Sequence, residues 1–329
     1  MAVLVCGGAG YIGSHGVAEL LAKKEEVVVI DNLQTGHRPA VLKEAAFYEG
    51  DLRDEAVLDK VFQNHKIDSV IHFAADSLVG VSVEEPLQYY DNNVYGAICL
   101  LKKMEQYQVK HIVFSSTAAT YGEPDTVPIT ETDVTSPTNP YGETKLAIEK
   151  MLKWSANAYG MTYVVLRYFN VAGAHPTIDI GEDHKPETHL IPIVLQVALG
   201  QREKIMIFGD DYPTPDGTCI RDYIHVKDLI QAHLVAVDYL RDGGDSDVFN
   251  LGNGNGFSVK EVIDTVEKVT GKDIKREVAP RRGGDPAALV ASSEKAKTIL
   301  GWKPEYADLD SMIETAWKWH QKHPKGYEA

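Results

Sequence analysis

Basic residues are scarce relative to acidic ones. Lys and Arg total 33 against 48 Asp and Glu, a formal net charge of −15. That balance argues against a nucleic-acid partner, which needs basic patches to release counterions from phosphate. An anionic ligand must therefore be captured by a local site working against the overall field. Cysteine is also rare. Cys6, Cys99 and Cys219 are widely spaced and form no Cys-x-x-Cys pair, so they read as reduced packing residues of a cytoplasmic protein. No apolar run approaches the ~20 residues that cross a bilayer. Residues 1–6 lack the basic start of a secretory leader, and none is expected. What remains, 44% apolar and 25% charged over 329 residues, suits a soluble α/β chain of one large unit or two lobes.

The chain is organised around residues 1–31. Ala2-Val3-Leu4-Val5-Cys6 is a short apolar run rich in β-branched residues, the pattern of a strand buried on both faces. Gly7-Gly8-Ala9-Gly10-Tyr11-Ile12-Gly13 follows, then a helical pattern with Ile12, Val17, Leu20 and Leu21 on one face, then a second buried strand ending at Asp31. Gly7 and Gly10 let the backbone approach a pyrophosphate, and Gly13 lets the helix lie close to the sheet. The phosphates would face the helix N-terminus at Tyr11 and Ile12. Asp31, beside Asn32, is placed to accept the ribose hydroxyls and to repel a 2′-phosphate, which selects NAD over NADP. His37 and Arg38, the alternative 2′-phosphate partners, lie well past the strand end.

Further along, Gly50-Asp51-Leu52 ends a short strand, with Asp51 placed either to bond the adenine or to cap the helix from Glu55. A strand through Ile71-His72-Phe73 runs into Ala74, where a flat cofactor can lie against small side chains. Residues 86–108 read as one long helix with a stripe of Leu87, Val94, Ile98, Leu101 and Met104. Of Asn92 and Asn93 within it, Asn93 is the better cofactor contact. Ser115, Ser116 and Thr117 end another strand. Asn139-Pro140 then starts a helix that puts Tyr141 and Lys145 one turn apart on one face. At about 5 Å and an effective dielectric near 20, the ammonium favours the phenolate by about 3 kcal/mol, roughly 2 pKa units. Desolvation opposes it. The bland alternative is an ordinary surface pair.

Taken together, Gly7-x-x-Gly10-x-x-Gly13, the hydroxyl-bearing strand end and Tyr141-x-x-x-Lys145 resemble the extended short-chain dehydrogenase/reductase superfamily. Within it, five further motifs resemble the UDP-glucose 4-epimerase family. They are Asp91-Asn92-Asn93, the run from Arg167 through Asn170 to Ala174, Arg221-Asp222-Tyr223-Ile224-His225-Val226, Asn250-Leu251-Gly252 and Ala279-Pro280-Arg281-Arg282. The resemblance runs from Ala2 to Gly326. It implies a Rossmann-type doubly wound parallel sheet over residues 1–170, and a smaller C-terminal α/β substrate domain over 171–329 whose segment 226–251 returns to the first. It also implies tightly held NAD that takes hydride from C4 of a UDP-sugar and returns it to the other face. Tyr141 would be the base, with Lys145 and Thr117 beside it. Leu52, Phe73, Ala74 and Tyr168 would join the cofactor contacts. The diphosphate would meet Asn170, His189, Arg221 and Arg282, the uracil Phe208, and the uridine ribose Asp285, with Leu190 a further substrate contact. Surface pairs of Arg221 with Asp222 and of Arg282 with Asp285 are the alternatives for the two arginines.

Three positions depart from some members: Ser77 for a lysine, His189 for an asparagine, and Leu289 for a bulky tyrosine. The smaller Leu289 implies room for UDP-N-acetylhexosamines as well as UDP-glucose and UDP-galactose. A homodimer is implied through the helices that begin at Pro86 and Pro140, with Ile148, Met151, Leu152 and Trp154 as surplus apolar residues. Burial against the chain's own sheet is the other reading of those four. Among rivals, a sugar-nucleotide dehydratase lacks support because Thr117-Ala118-Ala119 carries no Asp-Glu pair. A redox-sensing binding module does not need Tyr141 and Lys145. A metal at His184, Glu187 and His189, or at His320 and His323, has no convincing motif, and none is expected.

Overall fold

The computed structural model describes residues 1–282 and 286–328. Seven parallel strands form the central sheet. β1 (Ala2–Cys6), β2 (Glu26–Asp31), β3 (Ala46–Glu49), β4 (Ile67–His72), β5 (His111–Thr117) and β6 (Thr162–Tyr168) are joined by a strand at Asp247–Leu251. The spatial order is Asp247–Leu251, β6, β5, β4, β1, β2, β3. This is the Rossmann-type doubly wound sheet that the sequence implied, and its strand order reverses between β1 and β4, where such folds bind ligands.

Period-two alternation explains the two covered faces. Val3 and Val5 of β1, with Val27 and Val29 of β2, pack toward α1 (Tyr11–Ala22) and the helix Val226–Arg241. Leu4, Cys6, Val28 and Ile30 pack toward α2 (Glu55–Asn64) and the helices Gly96–Gln106 and Pro140–Tyr159. A separate core joins the helices Leu190–Ala198, Val259–Thr270 and Leu309–Lys322 through Leu195, Ile263 and Ile313. All three cysteines are free and buried.

Two local readings are corrected. Residues 86–108 are not one α-helix: Pro86–Tyr89 is followed by a π-helical stretch at Tyr90–Tyr95 before Gly96–Gln106. Wide π turns shift which residues face inward. Leu87 is consequently exposed, and Ala97, Cys99 and Leu100 share the core with Met104. Ile148 and Leu152, counted among the surplus apolar residues, are buried in the chain's own core, whereas Trp154 is 70% exposed.

Candidate functional site

The carboxyl ends of β1, β4 and β5 open into a cavity of about 920 Å³, toward the upper end of the ligand-pocket range. At its floor Gly7 has φ +80°, and a Cβ there would meet the Ala74 backbone nitrogen at 2.6 Å. A Cβ on Gly13 would lie 2.0 Å from the Gly7 carbonyl oxygen, so the α1 turn can seat on the loop only with glycine here. Gly10 differs. Its nearest neighbour would be the Gly7 oxygen at 3.5 Å, an ordinary contact, so the chain's own packing does not demand glycine. Gly10 lines the cavity and caps α1 without any side chain, and the first turn carries no acid. The uncompensated N–H groups of that turn are what an anion binds. This cradle fits a dinucleotide pyrophosphate.

Asp31 closes the cradle. Its Oδ2 accepts from the Ala9 N–H at 2.9 Å and its Oδ1 from the Leu33 N–H at 2.8 Å. Two acceptor positions are thereby used and others remain for a ribose diol. Burial pushes its pKa up, while the two N–H bonds and His37 pull it down. Asp51 is held well below the usual carboxylate range by Arg53, whose Nε and Nη2 lie 2.8 and 2.7 Å from its two oxygens. Asn32 also donates to Asp51, at 3.1 Å. The helix-cap alternative for Asp51 is overturned, because Asp54 caps α2 by accepting from the Ala56 and Val57 N–H groups.

Tyr141 and Lys145 both face the cavity from the start of helix Pro140–Tyr159. Asn139 accepts from the Gly142 N–H at 2.9 Å and Pro140 occupies the first turn. The Lys145 Nζ donates to the Ser115 carbonyl at 2.9 Å and stands 5.9 Å from the centre of the Tyr141 ring. Burial raises the pKa of Tyr141, opposed by a hydrogen bond with Thr117. Burial lowers that of Lys145 to about 7, opposed by Glu149. Desolvation therefore outweighs the Coulomb gain reckoned from sequence, and both groups are biased toward their neutral forms. Of the three hydroxyls ending β5, only Thr117 lines the cavity. Ser115 pairs with His233 Nε2 at 2.8 Å, and Ser116 donates to Glu149 at 2.5 Å. Glu149 also takes a two-pronged bond from Arg167, at 3.0 and 2.5 Å, which locks the helix to β6.

Most of the other expected residues line the same space: Tyr11, Ile12, Leu52, Phe73, Ala74, Tyr168, Asn170, His189, Arg221 and Arg282. Asn93 does not. It is buried, its amide donates to the Asp76 carbonyl at 3.0 Å and to Thr144 at 3.1 Å, and its oxygen accepts from the Asp76 N–H. Asn92 is the residue on the cavity wall, a consequence of the π-helical turn. Leu190, Phe208 and Leu289 also lie off the wall. Phe208 sits beneath the Arg282 guanidinium at 5.0 Å, and Leu289 pairs in register with Arg221. Asp285 lies outside the described residues. The surface pair weighed for Arg221 does not involve Asp222, whose buried carboxylate accepts from the Asn253, Gly254 and Ala291 N–H groups. Sequence reasoning missed residues 78–81 and Glu182, and weighed His184 only as a metal ligand; all are on the wall. Segment 78–81 carries no motif, and Glu182 acts only through neighbours that the fold supplies.

Residues 3–252 match the NAD dependent epimerase/dehydratase family. A UDP-glucose 4-epimerase of Halalkalibacterium halodurans is 65% identical over 327 residues, 99% of this chain and 98% of its own length. The UDP-glucose 4-epimerase of Bifidobacterium longum, solved in complex with NAD⁺ and UDP, superimposes with a TM-score of 0.94 at 44% identity, covering 99% of this chain and 100% of its own. The UDP-Glc/GlcNAc 4-epimerase of Campylobacter jejuni superimposes with a TM-score of 0.86 at 44% identity, covering 98% of this chain and 99% of its own.

Proposed function

Because the chain belongs to the NAD dependent epimerase/dehydratase family, we propose that it interconverts UDP-glucose and UDP-galactose by inverting C4 through a transient 4-keto sugar, with NAD as a resident cofactor. The observation that carries this reading is the convergence of Tyr141, Lys145 and Thr117 on one cavity with the glycine cradle and two arginines.

NAD, when bound, supplies the hydride acceptor and donor. Gly7, Gly10, Tyr11, Ile12 and Gly13 would hold its pyrophosphate, Asp31 and Asn32 its ribose, Asp51 and Leu52 its adenine, and Phe73, Ala74, Lys145 and Tyr168 its nicotinamide end. Tyr141 accepts the O4 proton as the C4–H bond breaks, and returns it when that bond is remade on the other face. Thr117 orients the hydroxyl. Tyr141 must first give up its own proton, to solvent or to the neutral amine of Lys145, whose pKa of about 7 lets it take up charge at working pH. Asn170, His189, Arg221 and Arg282 anchor the diphosphate, and charge-assisted bonds of this kind are worth about 1.5–3 kcal/mol each. An anchored nucleotide and a loose sugar allow the ring to present both faces. By family position Phe208, beneath Arg282 and just off the cavity wall, would meet the uracil and Asp285 the uridine ribose; Leu190, also off the wall, would be a further substrate contact.

In this reading residues 1–170 with the strand Asp247–Leu251 carry the cofactor, and the rest of 171–329 carries the UDP-sugar. UDP-N-acetylglucosamine and UDP-N-acetylgalactosamine are also substrates in this reading, which the likeness to the UDP-Glc/GlcNAc 4-epimerase of Campylobacter jejuni supports; Leu289, off the cavity wall, does not carry it. The protein works in the cytoplasm, which suits three free thiols. It pairs as a homodimer through the helices that begin at Pro86 and Pro140, where Leu87 and Trp154 are left exposed.

The test is incubation of purified protein with UDP-galactose and no added cofactor. UDP-glucose accumulating to a constant ratio supports the reading, and unchanged UDP-galactose, with or without added NAD, contradicts it.

A further inference from the structure

Glu182, His184, Glu187 and His189 come from one short segment on the cavity rim, and their ligand atoms all lie within 4.8 Å of one another. Glu182 Oε1 is 3.2 Å from His184 Nδ1 and 2.8 Å from His189 Nδ1, and Glu187 approaches the same two nitrogens with its two oxygens, Oε2 at 3.8 Å from His184 and Oε1 at 3.2 Å from His189. The edge of a tetrahedron with metal–ligand bonds of about 2.1 Å is about 3.4 Å, and these four separations bracket it. Glu182 is 4% exposed. Its Oε1 and the Nδ1 of His184 are buried and make no hydrogen bond, despite their short separation. Their lone pairs converge without the alignment that an N–H···O bond needs.

We propose that these four side chains form a tetrahedral zinc site that takes no part in the hydride or proton steps, with His189 ligating through Nδ1 and leaving its Nε2–H to donate to the substrate diphosphate. Two imidazole nitrogens and two carboxylate oxygens suit Zn²⁺, whereas Mg²⁺ demands six oxygens. The surroundings are already oriented. Glu187 Oε1 accepts from the Thr188 and His189 backbone N–H groups, each at 2.8 Å, which fixes its carboxylate. The side chains of His184 and His189 are 28% and 49% exposed, so an ion can reach the site from solvent.

Electrostatics supplies the use. The cluster places the Glu182 carboxylate on the wall of a cavity that has to accept anionic phosphates, in a chain of net charge −15. A divalent cation held by the four side chains offsets that charge. It also ties residues 182–189 together immediately before helix Leu190–Ala198 and beside Tyr11, whose ring lies 6.2 Å from that of His184. The role is therefore to hold the rim of the cavity, with no part in hydride transfer.

The experiment takes tag-free protein with its retained cofactor, measures bound metal by mass spectrometry, strips it with chelator, and titrates with zinc chloride and with magnesium chloride by calorimetry. The expected result is one zinc per chain, a melting temperature that falls on stripping and returns with zinc, and no saturable magnesium binding. H184N and E187Q should each weaken zinc binding ~100-fold or more, judged against ligand-shell losses of 10–100-fold for mere supporting partners. H189N, at a half-exposed position, serves if either variant loses the wild-type circular dichroism. The proposal is overturned if the protein carries no stoichiometric zinc and shows no saturable uptake at about 100 µM, far above what a four-ligand site requires. It is equally overturned if zinc binds with undiminished affinity in folded variants, which marks adventitious surface binding.

Discussion

Lys145 is tethered to Ser115: its Nζ donates to that residue's carbonyl at 2.9 Å, across the gap between helix Pro140–Tyr159 and β5. The bond fixes the ammonium 5.9 Å from the Tyr141 ring and spends one of its three donors. When Lys145 is protonated, two donors and the charge are left for the cavity. Since Lys145 is only 3% exposed, its protonation is set by burial, and the chemistry at Tyr141 inherits that setting.

Replacing Tyr141 with Phe removes the proton acceptor and leaves the ring. Turnover of UDP-galactose should fall by roughly 10²–10⁴-fold, the usual worth of a positioned acid–base group, while bound NAD remains stoichiometric after gel filtration. Loss of cofactor in parallel with activity would show that the ring acts in binding.

The Lys145→Met variant tests the buried amine through stability. The folded-state pKa of about 7 lies below the ordinary 10.5, so above pH 7 the unfolded chain binds a proton that the native chain has released. Stability therefore rises with pH between those values, by at most about 1.4 kcal/mol per pH unit for one proton. Urea unfolding of wild type minus variant should show that slope from pH 7 to 10. Parallel curves would contradict it.

Asp31→Ala should weaken NAD retention and also lower stability by about 1–3 kcal/mol, since the Ala9 and Leu33 N–H groups lose their acceptor. Thermal melts with and without excess NAD separate the two effects.

Glu149→Gln breaks the buried pair with Arg167, both side chains being at most 7% exposed. An uncompensated buried charge costs about 3–5 kcal/mol. The expected outcome is a large fall in the urea midpoint. An unchanged midpoint would show that the pair is dispensable to the fold.

Asn93→Ala should loosen the loop that begins at Asp76 rather than abolish cofactor binding directly. Hydrogen exchange at the Asp76 amide, which Asn93 holds at 2.8 Å, should rise, and KM should change more than kcat.

The contrast between Asn92 and Asn93 marks what a sequence can and cannot disclose. The β1–Gly7–α1–Asp31 unit is legible because every determinant is local: a buried run, a turn that needs glycine at Gly7 and Gly13, and a second buried run ending in an acid. Tyr141 and Lys145 are legible because a regular α-helix fixes their spacing. The π-helical stretch at Tyr90–Tyr95 breaks that regularity, and a 3.6-residue period carried through it chooses the wrong asparagine. Ile148 and Leu152 look like surplus apolar residues until the neighbouring strands claim them. Glu182 is hidden for a related reason, since its meaning depends on His184 and His189 folding back onto it.

Stereochemistry offers the most direct measurement of hydride leaving and returning within one site. UDP-galactose carrying deuterium at C4 is converted in ordinary water, mixed with an equal amount of unlabelled substrate bearing a distinguishable nucleobase isotope. The account requires the deuterium to remain at C4 of the UDP-glucose formed, on the same molecules that brought it. Replacement by solvent hydrogen, or scrambling between the two populations, would contradict it.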